Sequence, residues 1–168
     1  MARIGIIFGS TTGNTESAAQ KIFEALGNGA EAPRSISEVS AEEIAAYDAL
    51  VLGVSTWGAG DLQDDWEDAL SKFDSVRLSR KKVAVFGLGD QDGYPDTFVD
   101  AIGTVAEKVL ECGAQLVGMV STDGYEFDAS TAVVDGKFVG LPLDDDTQSD
   151  QTDARIAAWV ETLKTELT

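Results

Sequence analysis

One pattern constrains this chain more than any other. Short, uninterrupted apolar runs alternate with stretches in which apolar residues return every three or four positions. The runs at residues 4–8, 50–54, 83–86 and 115–120 predict strands, and a weaker run near 32–35 carries Pro33, which argues for a sheet edge. The runs at 4–8, 83–86 and 115–120 lack polar alternation, so both faces must be covered, as in a parallel sheet. Between them, Ala18, Ile22, Phe23 and Leu26 share a helix face with Gly27 as a stop. Phe98, Ile102, Val105, Val109 and Leu110 mark a longer helix ending at Gly113, and Ile156, Trp159, Val160 and Leu163 a C-terminal one. Shorter helices fit 41–46 and 64–71. This order predicts an α/β fold with a three-layer, doubly wound sheet. No repeat or linker divides the chain, which reads as a single domain over 1–168.

The stretch from Gly124 to Asp146 breaks the rhythm. Within it, residues 131–139 form two short strand-like runs around Asp135-Gly136, a hairpin signal because glycine accepts positive φ. This insertion separates the run ending at Val120 from the last helix.

Composition narrows the chemistry. Hydrophobic residues make up 43% of 168, enough for a core. Twelve Lys+Arg against 30 Asp+Glu leave a net charge of −18, which repels nucleic acid and anionic lipid and favours basic protein surfaces. There is no histidine, which excludes His-based triads, His general bases and the common His-rich metal sites. The lone Cys112 excludes an internal disulfide and an iron–sulfur cluster; late in a helix pattern, it reads as packing. Redox chemistry would therefore need a bound organic cofactor. No run reaches the ~18 apolar residues of a membrane span. The apolar run at 4–8 is too short for a secretion signal, so the expected location is cytoplasmic.

After the first strand comes Gly9-Ser10-Thr11-Thr12-Gly13-Asn14-Thr15-Glu16, opening the first helix. Its hydroxyls, the Asn14 amide, a backbone freed at Gly13 and a helix N-terminus together suit a phosphate. The loop is neither a Walker motif nor G-x-G-x-x-G. No Lys or Arg lies between Arg3 and Lys21, so dipoles alone would hold the phosphate. Two further loops, Ser55-Thr56-Trp57-Gly58-Ala59-Gly60-Asp61 and Gly87-Leu88-Gly89-Asp90-Gln91-Asp92-Gly93-Tyr94-Pro95-Asp96, leave the same sheet end. Each carries one large aromatic among glycines, and Trp57 and Tyr94 could sandwich a planar heterocycle.

These motifs resemble the three flavin-mononucleotide (FMN) loops of flavodoxins. The insertion, with Asp135-Gly136-Lys137-Phe138-Val139-Gly140-Leu141 and then Asp144-Asp145-Asp146, resembles the long-chain subgroup. The resemblance covers essentially the whole chain. It implies a five-stranded parallel sheet in the order 2-1-3-4-5, the last strand interrupted by the insertion; this sheet order is the one for which flavodoxin is a standard example. It implies FMN phosphate on Ser10, Thr11, Thr12, Gly13, Asn14 and Thr15, and stacking by Trp57 and Tyr94. Backbone groups at Thr56, Gly58, Ala59, Gly60, Gly89, Asp90, Thr97 and Val99 would meet the ring edge, and Asp146 the ribityl chain. No catalytic residue and no metal are implied.

By the same resemblance the chain is a monomeric, low-potential electron carrier, shuttling non-covalent FMN between semiquinone and hydroquinone. Gly58 eases a peptide flip beside flavin N5. Asp61, Asp90, Asp92, Asp96, Asp100 and Asp146 would disfavour a reduced anionic ring; about 1.4 kcal/mol lowers a one-electron potential by about 59 mV. Asp61, Asp64, Asp65, Glu67, Asp123, Glu126, Asp128 and Asp144 to Asp146 would rim the flavin and steer basic redox partners such as reductases. Trp66 and Trp159 read as packing, whereas Tyr125 and Phe127 fit either the core or a partner surface. An FMN-dependent reductase on the same fold is the competing enzyme reading. A signalling receiver domain shares the sheet order, but Gly9-Ser10 and Ser55-Thr56 stand where it needs acids.

Overall fold

Residues 4–8 (Ile-Gly-Ile-Ile-Phe) form a strand buried along its whole length, and the rest of the molecule is built outward from it. The computed structural model describes residues 3–9, 13–27, 29–57, 61–62, 64–145 and 147–167; at 57, 61, 62 and 64 only the backbone is described. The strands are β1 (Ile4–Phe8), β2 (Arg34–Ser35), β3 (Ala49–Trp57), β4 (Asp61–Leu62), β5 (Lys82–Leu88), β6 (Gln115–Val117), β7 (Val120–Ser121), β8 (Val133–Val134), β9 (Lys137–Phe138) and β10 (Leu141–Leu143). The helices are α1 (Asn14–Leu26), α2 (Ala41–Ala46), α3 (Asp64–Ala69), α4 (Asp100–Glu111) and α5 (Thr152–Glu166).

The central sheet runs β2-β1-β3-β5, and its fifth position is shared by β6 and β10, both parallel to β5. This is the expected 2-1-3-4-5 order with the last strand split. Strand alternation explains why the runs lack polar residues. Ile4, Ile6 and Phe8 face α1 and α5 with Ile22, Phe86 and Trp159. Ile7, Leu50, Leu52 and Val85 face the other layer with Ile44, Trp66, Phe73 and Ile102. Both faces are covered, so neither tolerates a polar side chain. Trp66 and Trp159 are core residues that also bond: their Nε1 groups donate to the carbonyls of Gly53 (2.6 Å) and Gly118 (2.8 Å). Helix α2 opens with a capping box, Ser40 Oγ accepting from Glu43 N and Glu43 Oε1 from Ser40 N.

The structure corrects three expectations. The run at 115–120 is not one strand: it stops at Val117 and resumes as β7, which pairs with β9. Gly118 causes the break, at φ +79, with its N–H on Glu166 Oε2 (2.8 Å). The helix expected at 64–71 ends at Ala69 and tightens into a 3-10 turn over Leu70–Ser75. In the α4 pattern, Phe98 precedes the helix and Leu110 is exposed.

The hairpin forms as expected. Asp135 (φ +54) and Gly136 (φ +80) make the two-residue turn between β8 and β9. It belongs to a small antiparallel sheet, β7-β9-β8, in which β8 and β9 of the insertion join β7 just before it. Among the described residues no helix is long and apolar enough to cross a membrane.

Candidate functional site

Strand register brings three loops to one edge of the sheet. Phe8 of β1 sits opposite Gly53, and Gly9 N donates to Gly53 O (3.1 Å), so β1 ends early. β3 continues past it to Trp57, and β5 ends at Leu88, opposite Ser55. The loops after β1, β3 and β5 therefore leave the carboxyl edge side by side, the crevice position for a ligand in such sheets.

The first loop turns into α1 at Gly13, whose φ of +89 is a left-handed value that glycine holds without strain. Helix α1 then opens at Asn14, which is exposed. Thr15 is fully buried, and its Oγ1 lies 2.6 Å from Ser55 Oγ at the end of β3. Ser55 is thus a candidate site residue that motif reading missed; its place at the end of the neighbouring strand was the signal. Ser10, Thr11 and Thr12 lie outside the described residues.

In the second loop, Thr56 Oγ1 accepts from Ala101 N (3.1 Å), tying β3 to the start of α4. The backbone of Trp57 pairs antiparallel with Asp61 of β4. Gly58, Ala59 and Gly60 lie outside the described residues, as does the Trp57 side chain.

In the third loop, Gly89 N donates to Leu143 O (3.0 Å), and a Cβ at Gly89 would stand 2.8 Å from Val99 Cγ1. Only glycine fits there. Asp90 Oδ1 accepts from Asp92 N (3.0 Å) and Gly93 N (2.8 Å), curling the loop on itself. Tyr94 emerges 46% exposed, although aromatic rings of its size are usually covered. Thr97 is half-buried and donates its N–H to Tyr94 O (3.3 Å). Val99, fully buried, has φ +47, a strained value for a β-branched residue that marks the turn into α4.

The insertion braces this third loop, which the sequence did not reveal. Asp128 N and Ala129 N both donate to Pro95 O (2.8 and 3.0 Å), Thr131 N donates to Asp100 Oδ1 (2.8 Å), and Ser130 Oγ bonds Phe98 O. Tyr125, Phe127 and Phe138 surround Phe98 with centroids 5.5–6.0 Å away, so Tyr125 and Phe127 are packing residues of this cluster. The Tyr125 hydroxyl donates to Pro142 O (2.7 Å), and burial pushes its pKa up to about 12.

Asp144, expected on an acidic rim, is buried. Its Oδ2 accepts from Gln91 N (3.0 Å) and Thr147 Oγ1 (2.6 Å), and its Oδ1 from Thr147 N (3.0 Å). Burial pushes its pKa up, but these hydrogen bonds outweigh burial and hold it below the usual carboxylate value. Of the other acids, Glu67, Asp92, Asp96, Asp123, Glu126 and Asp128 are exposed; Asp65, Asp90, Asp100 and Asp145 are half-buried. The side chains of Asp61 and Asp64, and all of Asp146, lie outside the described residues. Lys21, the first cation after Arg3, is engaged with Asp153 at 2.7 Å. The Cys112 thiol is half-buried and donates to Phe73 O (3.1 Å), and burial raises its pKa.

Comparison with known proteins agrees with this geometry. The flavodoxin family model matches residues 6–159. A flavodoxin of Trichodesmium erythraeum is 48% identical over 168 residues, covering 99% of this chain and 98% of that protein. A flavodoxin of Nostoc sp. is 47% identical over 164 residues, covering 98% and 96%. The crystal structure of Fusobacterium nucleatum flavodoxin bound to flavin mononucleotide superimposes with a TM-score of 0.94 at 29% identity, covering 100% of both chains.

Proposed function

This chain belongs to the flavodoxin family, and from that premise we propose that it holds FMN at the carboxyl edge of its sheet and carries single electrons at low potential between redox proteins. It is an electron-transfer protein, not an enzyme. One observation carries the reading: the three loops with the family's flavin motifs converge at one sheet edge through the register of β1, β3 and β5.

The residues present fit the cofactor. When bound, FMN supplies a ring that takes up and returns electrons one at a time. Its phosphate is an anion, and the start of α1 offers first-turn N–H groups, a positive dipole end and a left-handed glycine at the entrance. The Thr15–Ser55 hydroxyl pair, in which one O–H is spent on the other oxygen, leaves one O–H donor there. Ser10, Thr11, Thr12, Gly13, Asn14 and Thr15 are the proposed phosphate contacts. Trp57 and Tyr94 are proposed to cover the two ring faces. Thr56, Gly58, Ala59, Gly60, Gly89, Asp90, Thr97 and Val99 would line the ring edge, and Asp146 the ribityl chain. The half-exposed Tyr94 ring supports this, because nothing in the core explains its place.

The chain's charge sets the direction of the chemistry. Lys21 is spent on Asp153, so neutral dipoles hold the phosphate. Asp90, Asp92, Asp96 and Asp100 crowd the third loop in a protein of net charge −18. Added negative charge on the ring is disfavoured there, and a disfavoured reduced state is a strong reductant; each 1.4 kcal/mol or so lowers a one-electron potential by about 59 mV. The exposed acids support short-lived docking to basic faces of redox partners such as reductases. We read the chain as a long-chain member, supported by the insertion that carries β8 and β9, and as a cytoplasmic monomer of one domain over 1–168.

Absorption spectroscopy tests the function directly. The purified protein carries flavin bands, quenches added FMN fluorescence when stripped, and passes through a transient long-wavelength band during stepwise reduction. A colourless protein that leaves FMN fluorescence unquenched overturns the proposal.

A further inference from the structure

We propose that Gln91 is a positioning residue for the flavin: its side chain pins the loop that carries Tyr94 to both Glu126 of the insertion and Thr147 after β10. The inference rests on the FMN reading above and goes beyond it.

Gln91 is out of character with its surroundings. It is 3% exposed, while Asp92, Gly93 and Tyr94 beside it are exposed and Asp90 is half-buried. A buried amide is costly unless its donors and acceptor are matched. Here they are. The Oε1 atom accepts from Glu126 N (2.6 Å) in the insertion, and Nε2 donates to Thr147 Oγ1 (3.3 Å). The backbone N–H of the same residue donates to Asp144 Oδ2 (3.0 Å). Two segments distant in sequence, at Glu126 and at Asp144 and Thr147, thus meet at one residue of the third loop.

The network dictates an amide at this place. The ionised Asp144 is acceptor-only, so the Thr147 hydroxyl spends its hydrogen on Asp144 Oδ2 (2.6 Å). Facing Gln91, that hydroxyl can only accept, which requires an N–H. Glu126 N can only donate, which requires an oxygen. Glutamine satisfies both in a single orientation. Glutamate presents oxygen to both, and sets a second carboxylate beside Asp144.

The pin lies three residues before Tyr94, and Tyr94 N donates to Asp90 O (2.9 Å), so movement at 90–91 is transmitted to the ring. Releasing the amide loosens the loop while leaving the phosphate loop untouched. The cofactor then escapes faster, and water reaches the ring that Tyr94 covers. Water stabilises added charge, so the more negative one-electron potential moves up.

The test uses the holoprotein and its Gln91→Ala, Gln91→Glu, Thr147→Ala and Tyr125→Phe variants. Release of FMN is followed by fluorescence, potentials by titration, and the amides of residues 92–94, 96 and 97 by hydrogen exchange. Gln91→Ala releases FMN at least tenfold faster and exchanges those amides faster. Its more negative potential rises, by about 59 mV for each tenfold by which affinity for the more reduced flavin gains on that for the less reduced one. Thr147→Ala, at an exposed position, shifts release in the same direction by about threefold and serves if Gln91→Ala does not fold. Gln91→Glu behaves like the alanine variant at neutral pH and recovers as the pH falls, because a protonated carboxyl regains a donor for Thr147 Oγ1. Tyr125→Phe removes the bond to Pro142 O in the same insertion; it lowers stability but keeps the wild-type release rate and potential. Wild-type release and potential in Gln91→Ala, or an equal change in Tyr125→Phe, overturns the role of Gln91 alone. A wild-type protein that holds no FMN overturns the cofactor reading itself.

Discussion

Replacing Asp144 with Asn removes an acceptor from a point where three donors converge. The carboxylate takes Thr147 N on one oxygen and Gln91 N with Thr147 Oγ1 on the other. An asparagine has one oxygen. Its least damaging orientation keeps the oxygen towards Gln91 and Thr147 Oγ1 and turns NH₂ against Thr147 N, two donors facing each other at 3.0 Å. A hydrogen bond to a charged acceptor contributes roughly 1.5–3 kcal/mol, and the two that survive fall to the neutral value of roughly 0.5–1.5. Loss of the buried charge relieves desolvation and offsets part of this. The net expectation is about 3 kcal/mol of lost stability, a fall in urea midpoint of about 1–2 M for an m-value near 2 kcal/mol/M. FMN-free protein is the right sample, because bound cofactor adds its own stabilisation.

The pH dependence has a definite sign. The folded pKa of Asp144 is depressed, so its contribution is fully present above the ordinary carboxylate range and is lost as pH falls through the folded value. The stability gap between wild type and Asp144→Asn should be flat from neutrality down to about pH 5 and close below about pH 4. A gap under about 1 kcal/mol at neutral pH, or one that persists unchanged into acid, refutes the account of Asp144 as a buried anionic acceptor.

Other consequences are checked more simply. Gly103→Ala should destabilise by about 1–2 kcal/mol in urea melts, despite a helix-propensity gain of about 1 kcal/mol. The added Cβ would stand 2.8 Å from Thr131 O and 2.9 Å from Thr131 C, forcing the insertion off α4; a stabilised variant would show that the insertion is not seated there. Spectrophotometric titration should find the Tyr125 phenol neutral until about pH 12. Because that folded value lies above the ordinary ~10, the stability it contributes is complete below pH 10 and lost as pH rises towards 12; phenolate at Tyr125 near pH 10 would contradict its burial. Stopped-flow association with a basic redox protein should slow about tenfold or more as salt shortens the Debye length, and further in Asp92→Asn/Asp96→Asn protein. A salt-independent rate would remove the acidic rim from docking.

Sequence pattern revealed whatever depends on short-range backbone preference and periodic burial. The first strand was visible because Ile6 and Ile7 face two different cores, which leaves no polar position between them. The hairpin was visible because Asp135 and Gly136 must both take positive φ. The phosphate loop was visible because its parts are contiguous, from Gly9 to Thr15. Other features were hidden because their partners are remote. Gly118 divides a continuous apolar run, but its left-handed backbone answers to Glu166 and Trp159 on α5, more than 40 residues away. Asp144 to Asp146 reads as a solvated acidic run; Thr147 is a local partner of Asp144, but the bond that draws it to the third loop comes from Gln91, 53 residues earlier.

The two halves of the site differ in the same way, with a mechanical consequence. The proposed phosphate loop is one stretch of chain, with Ser55 of β3 as its hydroxyl partner, and none of these residues belongs to the insertion. The Tyr94 loop owes its position to Glu126, Asp128, Ala129 and Thr147, which the insertion and the turn after β10 supply. Breaking these bonds to the loop should therefore alter how the ring is covered while leaving the phosphate loop as it was. Loss of affinity and change of potential need not move together: a weakened phosphate grip releases the cofactor in every redox state alike, whereas a loosened Tyr94 loop discriminates between them. Comparing the two kinds of variant separates binding from redox tuning within one cofactor site.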